Sequence, residues 1–196
     1  MTTSTPITGD LAASGQAGAS STGSADIAGS ERADLLAALA KQRHFLRFTT
    51  RGLSDDQARE TTTVSELCLG GLIKHVTAVE ESWVKFILDG PSAMGDFATM
   101  TADDWARRAA EFRLLPDETL AGVLADYAEA AIRTDELVAS LPDLNAGHPL
   151  PKAPWYEPGE RWSARQVLLH IMAETAQHAG HADIIRESLD GAKSMG

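Results

Sequence analysis

Three residues stand where the apolar pattern of their segments asks for something greasy, and all three are good ligands for a cation. Glu174 and His178 are four residues apart on a stripe that otherwise reads Val167, His170 or Ile171, His181 or Ala182, Ile185 and Leu189. On a helix, that spacing stacks the two side chains on one face, about 5 to 6 Å apart at Cβ, close enough to grip one ion. His75 lies three residues after Leu72 and four before Val79, so it joins the inward stripe of an earlier segment. A buried carboxylate is costly unless it is paired, hydrogen-bonded or metal-bound. Two readings of these residues are open. In one, Glu174 bonds to His178 or to an arginine of a neighbouring helix, and His75 is a satisfied core histidine. In the other, His75, Glu174 and His178 hold a divalent ion and leave a fourth position free, as catalytic zinc sites do. A di-iron site needs Glu-x-x-His on two helices, whereas residue 177 is Gln.

Other reactive residues carry weaker signals. His170 is one turn before Glu174 and either bonds to it and fixes its orientation or is a core histidine; His181, three after His178, is not assigned as a ligand. Cys68 is the only cysteine and has no evident base or positive charge beside it, so it reads as an inert buried thiol. Arg133, Arg161, Arg165 and Lys74 are candidates for holding an anionic or sugar-bearing ligand. Trp155 and Tyr156 either roof a pocket or pack on the core.

Four long amphipathic segments position these groups. Apolar residues at Leu35, Leu36, Leu39, Phe45, Leu46 and Phe48 give a helix from Glu31 to about Thr50, ended by Gly52. A second runs from about Leu69 to Asp89 and stops at Gly90-Pro91. A third is expected after Leu115, with Pro116 in its first turn, and a fourth from Ser163 to Leu189. Capping sequences predict short extra helices after Ser54 and Thr101, and Ser163 with Gln166 has the same form. The stretch from Pro142 to Trp162 holds five prolines and reads as a long crossing loop. No segment alternates as a strand does, so the fold class is all-α, a four-helix bundle.

The pieces L-G-G-L-I-K-H-V (Leu69 to Val76), W-S-A-R-Q-V-L-L-H-I (Trp162 to Ile171) and E-T-A-Q-H-A-G-H-A-D (Glu174 to Asp183) resemble the DinB-like superfamily. The branch they are most similar to is the actinobacterial one related to mycothiol-dependent enzymes. The resemblance spans roughly residues 31–191. It implies a bundle whose divalent metal, zinc first among the possibilities, is held by His75, Glu174 and His178. It also implies a small thiol, mycothiol or a similar one, as co-substrate for a metal-dependent S-transferase acting on an electrophile. Cys68 fits this, since a chain with no reactive sulfur of its own must receive its thiol. Members are often dimeric, so a homodimer is allowed. A non-catalytic metal-binding bundle and a metal-dependent hydrolase are the other readings.

Composition narrows the partners. There are 17 Lys+Arg against 28 Asp+Glu, a net charge of −11 that repels phosphate backbones and anionic membranes. A single cysteine rules out an internal disulfide and a Cys-based zinc cluster. No run approaches the roughly 18 apolar residues of a membrane span. Of residues 1–30, 22 are Ala, Gly, Ser or Thr and none is basic. They read as a disordered tail, not a signal peptide, ahead of a bundle domain over residues 31–196 in a cytoplasmic protein.

Overall fold

The computed structural model describes residues 21–95 and 97–194, with the side chains of 21–28 and Ala98 excepted. Four long helices dominate: α1 (Ser21–Phe48), α3 (Leu69–Asp89), α5 (Leu120–Ser140) and α6 (Ala164–Asp190). Two short helices, α2 (Asp55–Arg59) and α4 (Ala102–Ala110), and two 3-10 turns at Gly90–Met94 and Phe97–Thr99 lie between them. The only strands among the described residues are β1 (Gly147–Pro149) and β2 (Arg161–Ser163), an antiparallel ribbon with His148 opposite Trp162. The architecture is the expected all-α bundle, and the ribbon is an addition that three-residue strands beside prolines did not announce.

The starts read from capping chemistry agree with the structure. Ser54 with Gln57, Thr101 with Asp104 and Ser163 with Gln166 each form the full reciprocal box, so six otherwise unpaired helix-end groups find partners. Two boundaries differ. The third long helix begins at Leu120, because the Thr119 side chain accepts from Gly122 N; Pro116 stays outside it in a turn. The first begins at Ser21, ten residues before the Glu31 where it was expected to start. No proline interrupts the chain between Pro6 and Pro91, so a helix anchored by packing further on can extend backward. The rest of the expected tail, residues 1–20, lies outside the described residues.

Helix α1 packs on α6 and α5, and α3 packs on the same two, so α1 and α3 face each other across a diagonal. Directions follow from the ion pairs. Glu31 pairs with Arg165 at one end of α1 and α6, and Arg186 donates to the Thr49 carbonyl at the other, so these two run the same way. Lys74 pairs with Glu118, and Glu81 with Arg133, so α3 and α5 also run together. Two consecutive parallel helices need a return path along the bundle, and residues 90–119 supply it. The proline-rich connection was expected to cross, but its ends meet at one end of the bundle, where Arg165 N donates to Leu144 O. It folds back on itself through the ribbon.

The core divides at the middle. Leu46, Leu69, Leu72, Val76, Val123 and Ile185 fill one half, and Leu39, Trp83, Phe86, Val138, Leu168 and Ile171 the other. Between them Arg43 reaches across the diagonal to Glu80, which has no exposed surface. Arg43 Nε donates to Glu80 Oε2 at 3.3 Å, a second guanidinium nitrogen contacts Oε1, and Nη1 donates to Asp135 Oδ1 at 2.8 Å. Burial opposes the charge on Arg43, but the Glu80 and Asp135 carboxylates outweigh it and hold the guanidinium pKa above its ordinary value.

The crossing segment is tied to the start of α3 by contact without side chains. A Cβ on Gly71 would lie 1.9 Å from Phe112 O, so only glycine admits the approach. Lys74 Nζ donates to the Ala110 and Arg113 carbonyls beside it.

Removing one partner of the buried pair strands the other charge in the core. Glu80→Ala should therefore lower stability by about 3 to 5 kcal/mol, read as a shifted midpoint in urea unfolding followed by circular dichroism. Gly71→Ala should also destabilise the protein, because backbone on both sides of the contact must move apart.

Candidate metal centre

His75 of α3 and Glu174 and His178 of α6 come together as the sequence predicted: one nitrogen or oxygen from each lies within 4.8 Å of the others. His178 Nε2 is 3.6 Å from Glu174 Oε2, and the His75 and His178 rings meet edge to face at 4.8 Å between centroids. His75 and His178 are buried, as their stripes suggested, but Glu174 is not. Thr175 takes the fully buried position, and Glu174, its side chain 30% exposed, sits one residue round on the flank. One residue is about 100° of helix, which turns Glu174 toward a cleft under the two long connections.

Neighbours fix each member. Phe112 stacks on the His75 ring at 3.9 Å, delivered there by the Gly71 contact. His181 Nδ1 is 3.4 Å from His178 Nδ1, leaving Nε2 to face Glu174. His170 Nε2 is 3.8 Å from Glu174 Oε1, and its ring contacts Trp83 and Trp162. Contact with His178 and the nearby His170 and His75 holds the Glu174 carboxyl below its ordinary pKa, against the opposing effect of burial. Burial lowers the pKa of His170, against the pull of Glu174. His170 is thus beside a ligand candidate, as one of its two expected roles requires.

Two features favour a cation here. The donors are two imidazoles and a carboxylate, a set suited to borderline divalent metals. The buried Nδ1 of His75 has no hydrogen-bond partner, and the nearest carboxylate oxygen, Glu111 Oε2, stands 3.7 Å away.

The cleft at the site measures about 410 Å³. A larger groove of about 1090 Å³ lies between α1, α2 and α5 and contains none of the three residues. The charged residues suggested for ligand binding are elsewhere: Lys74, Arg133 and Arg165 are paired with Glu118, Glu81 and Glu31, and Arg161 donates to Gly147 O. Arg108 and Glu111, at the end of α4, line the cleft instead. Their segment carries no apolar stripe pointing at the site, so spacing did not single them out. Trp155 and Tyr156 do reach the cleft. Cys68 is buried at the start of α3, where its sulfur accepts from Gly71 N at 3.4 Å.

A family model described as Mycothiol-S-transferase matches residues 34–191. The chain belongs to the mycothiol S-transferase family. The matched span takes in α3, α5, α6, α1 from residue 34 onward, and His75, Glu174 and His178, and agrees with the DinB-like resemblance. No curated protein matches the chain. Among the described residues no helix is long and apolar enough to cross a membrane.

Proposed function

We propose that this chain is a divalent-metal-dependent thiol S-transferase that joins mycothiol, or a closely similar small thiol, to an electrophile. The observation that carries the proposal is the meeting of His75, Glu174 and His178 within 4.8 Å on two helices, in a chain of this family. These three residues would hold the ion, and zinc suits them well. A metal bound with an open position lowers the pKa of a neighbouring thiol, making thiolate available near neutral pH.

The chain's own side chains do the rest. Phe112 and His181 keep the two imidazoles in place, so that little reorganisation is needed when the thiol arrives. Trp83 and Trp162 enclose His170 and exclude water from the inner end of the cleft. The outer end admits the electrophile. In the reaction a sulfur–carbon bond forms, the electrophile's leaving group departs with its electron pair, and the thiol proton passes to solvent. In this reading the protein works in the cytoplasm on small molecules, as a monomer or a homodimer, with no nucleic-acid or membrane partner; its net charge of −11 supports that choice.

Protein supplied with zinc, mycothiol and monochlorobimane should consume thiol and release chloride, and His75→Ala should reduce the rate to background. A rate that survives His75→Ala contradicts the mechanism. Glu111→Ala, removing a negative charge beside the three ligand candidates, should weaken zinc binding by about 10-fold, measured by competition with a chromophoric chelator.

A further inference from the structure

A row of rings leads from the candidate metal centre to the surface. His170 contacts Trp83 and Trp162, at 4.8 and 5.1 Å between centroids. Trp162 is followed by Tyr156 at 6.0 Å, Trp155 at a further 6.0 Å, and Phe97 at 5.1 Å from Trp155. All of them line the one cleft, yet Trp155 is 58% exposed. An exposed tryptophan at the mouth of a cleft is apolar surface without a cover, and marks where a ligand lies.

The polar groups of the cleft say which ligand. The Arg108 guanidinium makes no ion pair or hydrogen bond among the described residues and sits 5.7 Å over the Phe97 ring. The Glu111 carboxylate reaches nothing closer than His75 Nδ1 at 3.7 Å, and Ser82 is also at hand. A flat aromatic molecule would cover the rings but leave a carboxylate and a guanidinium stripped of water with no partner. An anionic one would meet Glu111 and Glu174. A pyranose ring satisfies both sets, because its C–H face is apolar and its hydroxyl rim donates and accepts.

We infer that the aromatic row ending at Trp155, with Arg108 and Glu111, is the seat for the neutral sugar portion of a glycosidic thiol. This rests on the thiol-transferase reading only for the sulfur: the seat lies outward of the three ligand candidates and holds the sugar whether or not a metal is present. Mycothiol, an N-acetylcysteine amide of glucosaminyl-inositol, has such a portion.

The test uses full-length protein treated with EDTA and the sulfur-free, N-acetylated pseudodisaccharide of glucosamine and inositol, with binding followed by tryptophan fluorescence. The wild type should bind saturably, and Trp155→Ala should weaken binding about tenfold or more, roughly the loss of one good stacking contact. Trp155 is exposed, so the variant's melting temperature should match the wild type's; Arg108→Ala, on a separate segment, should weaken binding in the same direction. No saturable binding, or equal binding by both variants and the wild type, overturns the seat. Thiol consumption without pseudodisaccharide binding removes the seat and leaves the transferase; binding without thiol consumption does the reverse.

Discussion

Glu80 is a carboxylate with no exposed surface, and the fold arranges itself so that Arg43 meets it across the bundle diagonal. An ion pair in such a place is sensitive to register, because sliding either helix by one residue strands two charges in the core. It therefore fixes the height of α3 against α1, and Asp135 extends the constraint to α5. His75 lies five residues before Glu80 on the same helix, so that pair sets its height against α1, which the Glu31–Arg165 and Arg186–Thr49 contacts in turn register against α6. The contribution is one of position more than of net stability, since apolar packing of the same volume could stabilise the core as well.

The second constraint comes from topology. Because α3 and α5 run the same way, the chain must return along the bundle between them, and residues 110–113 of the returning segment lie against α3 beside the His75 and His178 rings. Gly71 lets the returning backbone touch α3, Lys74 holds its carbonyls, and the Cys68 sulfur caps the helix where they meet. Phe112 and Glu111 reach His75 as a consequence. The proline-rich connection closes the other side with Tyr156 and Trp162. Two connections thus supply half of the residues that line the cleft, while α3 and α6 supply the other half and the ligand candidates.

This division explains what could be read in advance. Capping boxes are local, four-residue devices, and Ser54, Thr101 and Ser163 were legible for that reason. His75, Glu174 and His178 were legible because a polar residue in an apolar stripe is a conflict that must be resolved somewhere. Arg43 and Glu80 are 37 residues apart, and each looks like an ordinary solvated residue of its helix until the helices are paired. Helix direction leaves no trace in periodicity, so the crossing was assigned to the proline-rich stretch instead of to residues 90–119. Arg108 and Glu111 became visible only once that segment was laid over the cleft. The stripe also could not distinguish position 174 from 175, and the 100° between them moves Glu174 from the core to the flank, while His75 and His178 stay buried.

The central claim is that His75, Glu174 and His178 form one divalent-metal centre. The most direct measurement is elemental analysis of protein purified without a histidine tag, wild type beside His75→Ala. The account predicts roughly one equivalent of divalent metal per wild-type chain, as a three-ligand site retains, and a large loss in the variant. Wild-type protein free of metal after purification in zinc-supplemented buffer, or equal metal in both proteins, would contradict it.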